Sequence, residues 1–434
     1  MKLFILDTDG VGLNMAIKAQ DAGHEVRLFY NKGPGGKENC SGDGLVNKVD
    51  EWKPSMDWAD LILLTNNSKY TEELERYFEQ GYPIVGANKA SAELELDRGK
   101  GQEVLEEHGI DILPYHVCTS WDEAIDYVRS QPDGVACKPW GGMDDKSLTF
   151  VAADADEAEY ILNRWKSEGR KCGKLMFQEK CDGPEMAVSA WCGPHGFNRE
   201  VNESWEHKKH LVDDLGCNTG EQGTVVRYVA RSSLFNRVLK PLEDYFVELG
   251  YCGNVDVNCR IDLDTGTPYP LEFTIRFGWP AQNILMCLHQ GDPVQYLLDL
   301  RNGKDSLRAK RDIAVGIVMS HGHYPFKSNR PEDVGYPIRG WHVGNWDCVA
   351  WTSVCMGYAP IGGRESRTLT TAGDYVCVVT GTGQTVSQAN RNANALAKDI
   401  KWPSNRGYRT DIGKRLKKEL PVLQSFGYAT GMEY

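Results

Sequence analysis

The segment from Asn254 to Gly278 limits the possible folds more than any other. It reads Asn-Val-Asp-Val-Asn-Cys-Arg-Ile-Asp-Leu-Asp-Thr-Gly-Thr-Pro-Tyr-Pro-Leu-Glu-Phe-Thr-Ile-Arg-Phe-Gly. Two apolar-patterned runs flank a turn rich in Asp, Thr, Gly and Pro, which predicts a β-hairpin. Side chains alternate between the two faces of a strand, so Glu272, Thr274 and Arg276 share one face. Asn258 on the first strand stands across from them. Asp256 lies two residues earlier and shares its face, so either residue, or both, reaches the same place. A carboxylate, neutral oxygen ligands and a guanidinium on one face suit Mg²⁺ (or Mn²⁺) bound to phosphates.

A chain of 434 residues exceeds what one hydrophobic core serves, and about two to four domains are expected. Its 41% hydrophobic and 25% charged residues are those of an ordinary globular enzyme. The net charge of -12 argues against a general nucleic-acid surface, while leaving room for a local basic pocket. Thirteen cysteines include no Cys-x-x-Cys pair, and their odd number fits reduced thiols in a cytoplasmic protein. The opening run Met-Lys-Leu-Phe-Ile-Leu is broken by Asp7. It is too short for a signal segment and reads as a buried strand. No run of about 18 apolar residues occurs, so no membrane span is expected.

The remaining periodicities divide the chain. Strands at 2–7, 25–30, 61–65 and 83–85 alternate with helices at 13–22 and 71–80, which predicts a small parallel α/β domain over 1–89. A long charged helix is expected over 90–108. Short strands at 135–138, 148–151 and 175–178 mix with helices at 121–129 and 156–165. Residues 187–230 are strand-rich, 233–250 read as one helix, and 293–301 as another. A new section begins near Arg311, with strands at 313–319, 349–356 and 375–380 and a helix at 386–398. The class is therefore mixed α/β and α+β.

Several motifs carry chemistry. Asp7-Thr-Asp-Gly-Val-Gly-Leu-Asn14 is either a ligand loop at a helix N-terminus or a tight structural turn. It lacks the third glycine of a dinucleotide fingerprint, and Asp7 and Asp9 repel phosphate. Lys138 ends a strand before a glycine pair and Lys146, a pattern that is either a surface turn with solvated lysines or a loop that neutralises a triphosphate. The stretch Phe177-Gln-Glu-Lys-Cys-Asp-Gly-Pro-Glu185 by itself reads first as an ordinary strand–turn–strand corner, and second as a hinge that offers backbone groups to an adenine edge and a carboxylate to ribose. Glu206-His-Lys-Lys-His210, followed by Asn218-Thr-Gly-Glu-Gln-Gly223, supplies cations and a small-residue loop. The histidine pairs 207/210 and 321/323 have no third ligand at metal-binding spacing, so they are read as structural.

Taken in order, these segments resemble the ATP-grasp enzymes, and among them the phosphoribosylamine–glycine ligases. The resemblance is strongest from about residue 84 to 426. It runs through Ile84-Val-Gly-Ala-Asn-Lys-Ala, the Lys138 loop, Glu179-Lys-Cys-Asp-Gly-Pro-Glu, His207-Lys-Lys with Asn218-Thr-Gly, and Leu271-Glu-Phe-Thr-Ile-Arg-Phe-Gly. It continues through Val315-Gly-Ile-Val-Met, Gly383-Gln-Thr-Val-Ser-Gln-Ala and Tyr408-Arg-Thr-Asp-Ile-Gly. It implies an N-terminal α/β domain over 1–89, a core over 90–306 with a lid near 112–186, and a C-terminal domain over 307–434. It implies that Arg98, Lys138 and Lys146 face the ATP phosphates. Gln178, Glu179 and Cys181 would line the adenine hinge, and Glu185 would hold the ribose. Asn258, Glu272 and Thr274 would bind the metal, with Arg276 and Glu272 at the transferred phosphate. Asn218, Thr219, Gly220, Lys208 and Arg276 would bind substrate. Small molecules are the implied partners of a monomer or homodimer, with neither nucleic acid nor membrane.

The departures from the family are specific. Thr274 stands where an Asn is usual. The lid carries Met143-Asp-Asp-Lys-Ser147 where the family is rich in Gly and Ala. Val11-Gly-Leu13 replaces an Arg-Glu-His run, Thr65-Asn-Asn-Ser68 replaces a Gly-Pro-Glu loop, and Trp279-Pro-Ala281 replaces an acidic segment. ATP handling is thus expected to follow the family. Three possibilities remain for the whole: glycine joined to phosphoribosylamine, the same chemistry on a different amine, or a non-catalytic nucleotide-binding homologue.

Overall fold

The computed structural model describes residues 1–8, 10–31, 39–141, 148–326, 331–361, 363–403 and 405–434. Lys146 and the whole of the 143–147 loop lie outside the described residues, as does Asp9.

The N-terminal strands form a five-stranded parallel sheet in the order Lys48–Val49, Glu25–Tyr30, Lys2–Asp7, Leu61–Leu64, Ile84–Val85. Alternation along Lys2–Asp7 sends Leu3 and Ile5 into one core and Phe4 and Leu6 into another, because a parallel sheet is covered on both faces. Asp7 and Thr65 therefore stand at the carboxyl edge of this sheet, where open parallel sheets hold ligands.

A four-stranded antiparallel sheet, ordered Tyr115–Cys118, Leu175–Glu179, Val135–Pro139, Phe150–Val151, packs against helices Trp121–Val128 and Ala155–Ser167. It has its own core, including Cys137, Leu162 and Phe177.

The centre of the molecule is a nine-stranded sheet. Its main path runs Pro268–Thr274, Gly253–Ile261, Glu185–Gly193, Val201–Lys209, Asn218–Val229, Ile313–Ser320, Tyr375–Gly383, Val349–Trp351. The strands beyond residue 307 continue it directly, with Thr224 opposite Gly316 and Ala314 opposite Thr382. Every ladder in it is antiparallel, so alternate residues face opposite sides, and one side carries the chemistry.

Three elements differ from expectation. The helix expected over 90–108 is two helices, Lys89–Leu96 and Arg98–Glu107, with extended backbone at Asp97 between them. Asp97 accepts hydrogen bonds from the Gly99 and Lys100 N–H groups, and this capping competes with helix continuation. The helix expected over 233–250 breaks into Ser233–Val238, a short 3₁₀ turn at Lys240–Leu242 and Glu243–Glu248, since Pro241 has no N–H to donate. The strand expected over 349–356 is two strands. Between them Thr352 and Ser353 donate backbone bonds to Val376 and Tyr375 at 3.1 Å each. The hairpin Val354–Ile361/Arg364–Thr371 and the helix Leu416–Ser425 had no clear sequence expectation.

The central sheet is tied to the C-terminal residues by a buried ion pair. Arg227 donates to Glu203 Oε2 from Nε at 3.0 Å and from Nη2 at 2.7 Å, and also to the Thr430 carbonyl. The Glu203 side chain is 2% exposed. Arg227→Ala strands that carboxylate, and urea unfolding should show a loss of about 3–5 kcal/mol. Among the described residues no helix is long and apolar enough to cross a membrane.

Candidate active site

The hairpin register sets Asn258 opposite Glu272 and Asp256 opposite Thr274, with a bulge between Asn258 and Cys259. These four residues share one face. Strand Pro268–Thr274 ends there, so Arg276 stands just past it rather than within the ladder. The Arg276 Nε donates to Glu95 Oε1 at 2.9 Å. Glu95 also accepts from the Ile275 N–H at 2.7 Å and Asn67 Nδ2 at 2.8 Å.

Glu272 is the electrostatic hub. Its carboxylate pairs with Arg98 Nη2 at 3.0 Å and Lys208 Nζ at 3.2 Å. The Lys208 ammonium, with Arg98 and Lys138 behind it, outweighs burial and holds the acid down at about 2. The break at Asp97 makes Arg98 the first residue of its helix, which aims it at the hairpin. Gly99 follows, where a Cβ would come within 2.0 Å of the Trp140 ring. Strand Val135–Pro139 brings in Lys138, whose Nζ donates to Gln178 Oε1 at 3.4 Å. Burial first, then the Arg98 charge, lowers Lys138 to about 8. The buried Gln178 in turn donates to Gln102 on the Arg98 helix.

Lys208 also contacts Glu206 at 3.2 Å, and Asn258 Nδ2 donates to the same Glu206 oxygen at 3.2 Å. Burial opposes the Lys208 charge, yet Glu206 and Glu272 raise its pKa above the ordinary lysine value. Asp256 and Glu221 are both buried. Burial, followed by the Glu206 charge, pushes both carboxyls well above the ordinary acid range. Glu221 Oε1 has no hydrogen-bond partner among the described residues. The face is thus rich in oxygen donors, with carboxylates that its lysine does not fully balance. Asn258, Glu272 and Thr274, with Asp256 beside Thr274, are oxygen groups of the kind that could hold a hard divalent cation.

Glu179, exposed at the end of its strand, donates its backbone N–H to the Pro114 carbonyl. Cys181 lies 3.9 Å from Asp262 Oδ2, and burial raises its thiol to about 11. Glu185 opens the next strand opposite Arg260 and pairs with that guanidinium. Thr219 Oγ1 donates to the Lys208 carbonyl at 2.8 Å and accepts from Gln222 at 3.0 Å, so the loop is fastened to the lysine strand. Asn218 and Gly220 on either side are exposed. His207 accepts the Gly413 N–H at 3.0 Å and is deeply buried, while His321 accepts from the Trp402 indole at 2.9 Å.

Beside Arg276 opens a cleft of about 410 Å³. Gly10, Val11, Asn66, Asn67, Ser68 and Trp279 line it, joined by Thr352, Ser353 and Tyr375 from the C-terminal strands. The three unusual loops noted in the sequence therefore converge on one place. Glu95 went unremarked in the sequence because its partner lies 181 positions away. Glu221 did carry a signal, an acid inside a small-residue loop.

The phosphoribosylamine–glycine ligase of Vibrio vulnificus is 28% identical over 356 residues, which cover 79% of this chain and 80% of that protein. The crystal structure of phosphoribosylamine–glycine ligase from Thermotoga maritima superposes with a TM-score of 0.70 at 20% identity, covering 95% of this chain and all of that one. The biotin carboxylase domain of Hydrogenobacter thermophilus 2-oxoglutarate carboxylase, solved with MgADP and bicarbonate, gives 0.60 at 14% identity over 99% of each chain. No protein-family model matches the chain. The architecture shared with these structures is the ATP-grasp fold.

Proposed function

We propose that this ATP-grasp chain is an ATP-dependent carboxylate–amine ligase of the phosphoribosylamine–glycine ligase type. It forms an amide through an acyl phosphate and releases ADP and phosphate. The observation that carries the reading is Glu272, held ionised among Arg98, Lys138 and Lys208 and facing Asn258 across the hairpin.

In this reading ATP lies between the lid, residues 112–186, and the central sheet. Lys138 and Arg98 meet its phosphates, the Gln178–Cys181 segment meets adenine, and Glu185, released from Arg260, meets ribose. Mg²⁺ held by Asn258, Glu272 and Thr274 would screen the charge of the triphosphate. Arg276 and Lys138 stabilise the γ-phosphoryl group as it moves. An oxygen of the glycine carboxylate attacks the γ-phosphorus, and the bond to the β-phosphate oxygen breaks, so ADP leaves. The amine nitrogen then attacks the acyl carbon, the C–O bond to phosphate breaks, and the nitrogen's proton passes to solvent. No protein nucleophile is needed, so catalysis rests on positioning and field. Closure of the lid keeps water from the acyl phosphate.

The test uses hydroxylamine as a small general acceptor. With ATP, Mg²⁺ and glycine, hydroxylamine should drive ADP release and yield glycine hydroxamate. ADP release that ignores glycine would refute the ligase reading.

A further inference from the structure

We propose that the amine acceptor carries no phosphate, and that it is a neutral, hydroxylated, ring-bearing amine seated in the cleft against Trp279 and Tyr375. This rests on the ligase reading, which supplies the acyl phosphate beside Arg276. The acceptor must approach that end, and the cleft that opens there is of a size for a small ligand.

Phosphate recognition needs several N–H donors or unpaired cations pointing at one place. The loop after the first strand has the form of such a nest, two glycines leading into helix Leu13–Asp21. Two of its donors are already taken by a side chain of this chain. The Gly10 N–H donates to Asp7 Oδ1 at 3.0 Å, and the Gly12 N–H donates to Asp7 Oδ2 at 2.6 Å. Thr65 Oγ1 donates to the same carboxylate at 2.9 Å. Asp7 is completely buried and stands where an anion would otherwise sit. Gly12 permits this close approach, because a Cβ there would lie 2.9 Å from the Asp7 oxygen. A phosphate brought to this loop meets a buried carboxylate that already holds the Gly10 and Gly12 N–H groups.

Among the described lining Arg276 is the one cation, and its Nε is engaged. Arg276 is paired with Glu95, and Asn67 and the Ile275 N–H complete the bonding of that carboxylate. The pairing offsets part of the Arg276 charge, and in the ligase reading the remainder serves the γ-phosphoryl group. The rest of the described lining is neutral. Ser68, Thr352 and Ser353 line it; the Ser68 hydroxyl donates to Asn66 Oδ1 and the Thr352 hydroxyl to the Tyr375 carbonyl, which leaves both as acceptors. Trp279 and Tyr375 form an aromatic wall with ring centroids 4.6 Å apart, and the Tyr375 hydroxyl is fixed by donation to the Glu221 carbonyl. Neutral donors and acceptors beside aromatic rings read hydroxyls and a ring, not a dianion.

The deciding measurement is calorimetric titration of the wild-type protein, saturated with a non-hydrolysable MgATP analogue, with ribose 5-phosphate. No binding tighter than about 10 mM is expected, and a Kd below about 1 mM overturns the proposal. Asp7→Ala frees the two glycine N–H groups and should improve ribose 5-phosphate binding by about tenfold. Should that variant fail to fold, the wild-type titration decides alone. Turnover follows the same logic. Ribosylamine, formed from ribose and ammonia, should match or exceed phosphoribosylamine, formed from ribose 5-phosphate and ammonia. A preference of about tenfold or more for the phosphorylated amine overturns the proposal. Hydroxylamine-dependent ADP release on the same preparation tests the ligase reading separately, so the two failures are told apart.

Discussion

Glu272→Ala should lower glycine-dependent ADP release by a factor of about 100 to 1,000 while the protein stays folded. The carboxylate is the common partner of Arg98 and Lys208 and faces Asn258 on the oxygen-rich side of the hairpin. Without it those cations and Lys138 repel one another, and the proposed metal loses its charged ligand. The fold persists because the Glu272 side chain is 35% exposed and the hairpin's apolar residues, Val257 and Phe273, pack on the opposite side. Steady-state ADP release and thermal unfolding of the same preparation separate the two effects, and near-wild-type turnover refutes the role. The pH dependence of this contact also has a sign. The folded acid, at about 2, lies below the unfolded glutamate value of about 4.3. Its stabilising contribution is present above that unfolded value and is lost as the pH falls through the folded one.

A second large effect is expected at alkaline pH. Burial and the Arg98 charge hold Lys138 at about 8, so the free protein loses this phosphate-facing charge in the working range. The value of kcat/KM for ATP should be level below pH 8 and then fall about tenfold per pH unit. Lys138→Arg, which retains its charge, should remove that fall, whereas Lys138→Met should lower kcat/KM at every pH. A wild-type profile that stays level to about pH 9.5 contradicts the assignment. Stability moves the opposite way. Because the folded lysine releases its proton more readily than the unfolded one, the cost of burying it is fully present below about 8 and eases as the pH rises towards about 10.4.

The hairpin was legible because strand alternation is strict, so Glu272 and Thr274 had to face Asn258 and Asp256 once the two runs paired. The ATP-grasp order of segments was legible for the same reason, since each motif sits at the end of a periodic run. What escaped was competition within single segments. The 90–108 run is helical throughout in composition, yet Asp97 caps the following turn and splits it, and that split is what presents Arg98. Pro241 makes the other break, within the 233–250 run that reads as one helix. Contacts between distant segments left no local trace. Glu95 meets Arg276, Asp7 fills the Gly10–Gly12 loop, and Trp279 reaches Tyr375 only after the sheets assemble. The unusual loops were visible one by one in the sequence, but their convergence on one cleft was not.

The most direct test of acyl-phosphate chemistry follows an oxygen atom. Glycine labelled with ¹⁸O in its carboxylate is turned over with ATP, Mg²⁺ and hydroxylamine, and the released phosphate is analysed by mass. Attack of the carboxylate on the γ-phosphorus, followed by cleavage of the acyl C–O bond, predicts one ¹⁸O in each phosphate formed. Phosphate without label, released at the rate of ADP formation, would show that water and not the carboxylate receives the phosphoryl group, and would contradict the ligase mechanism.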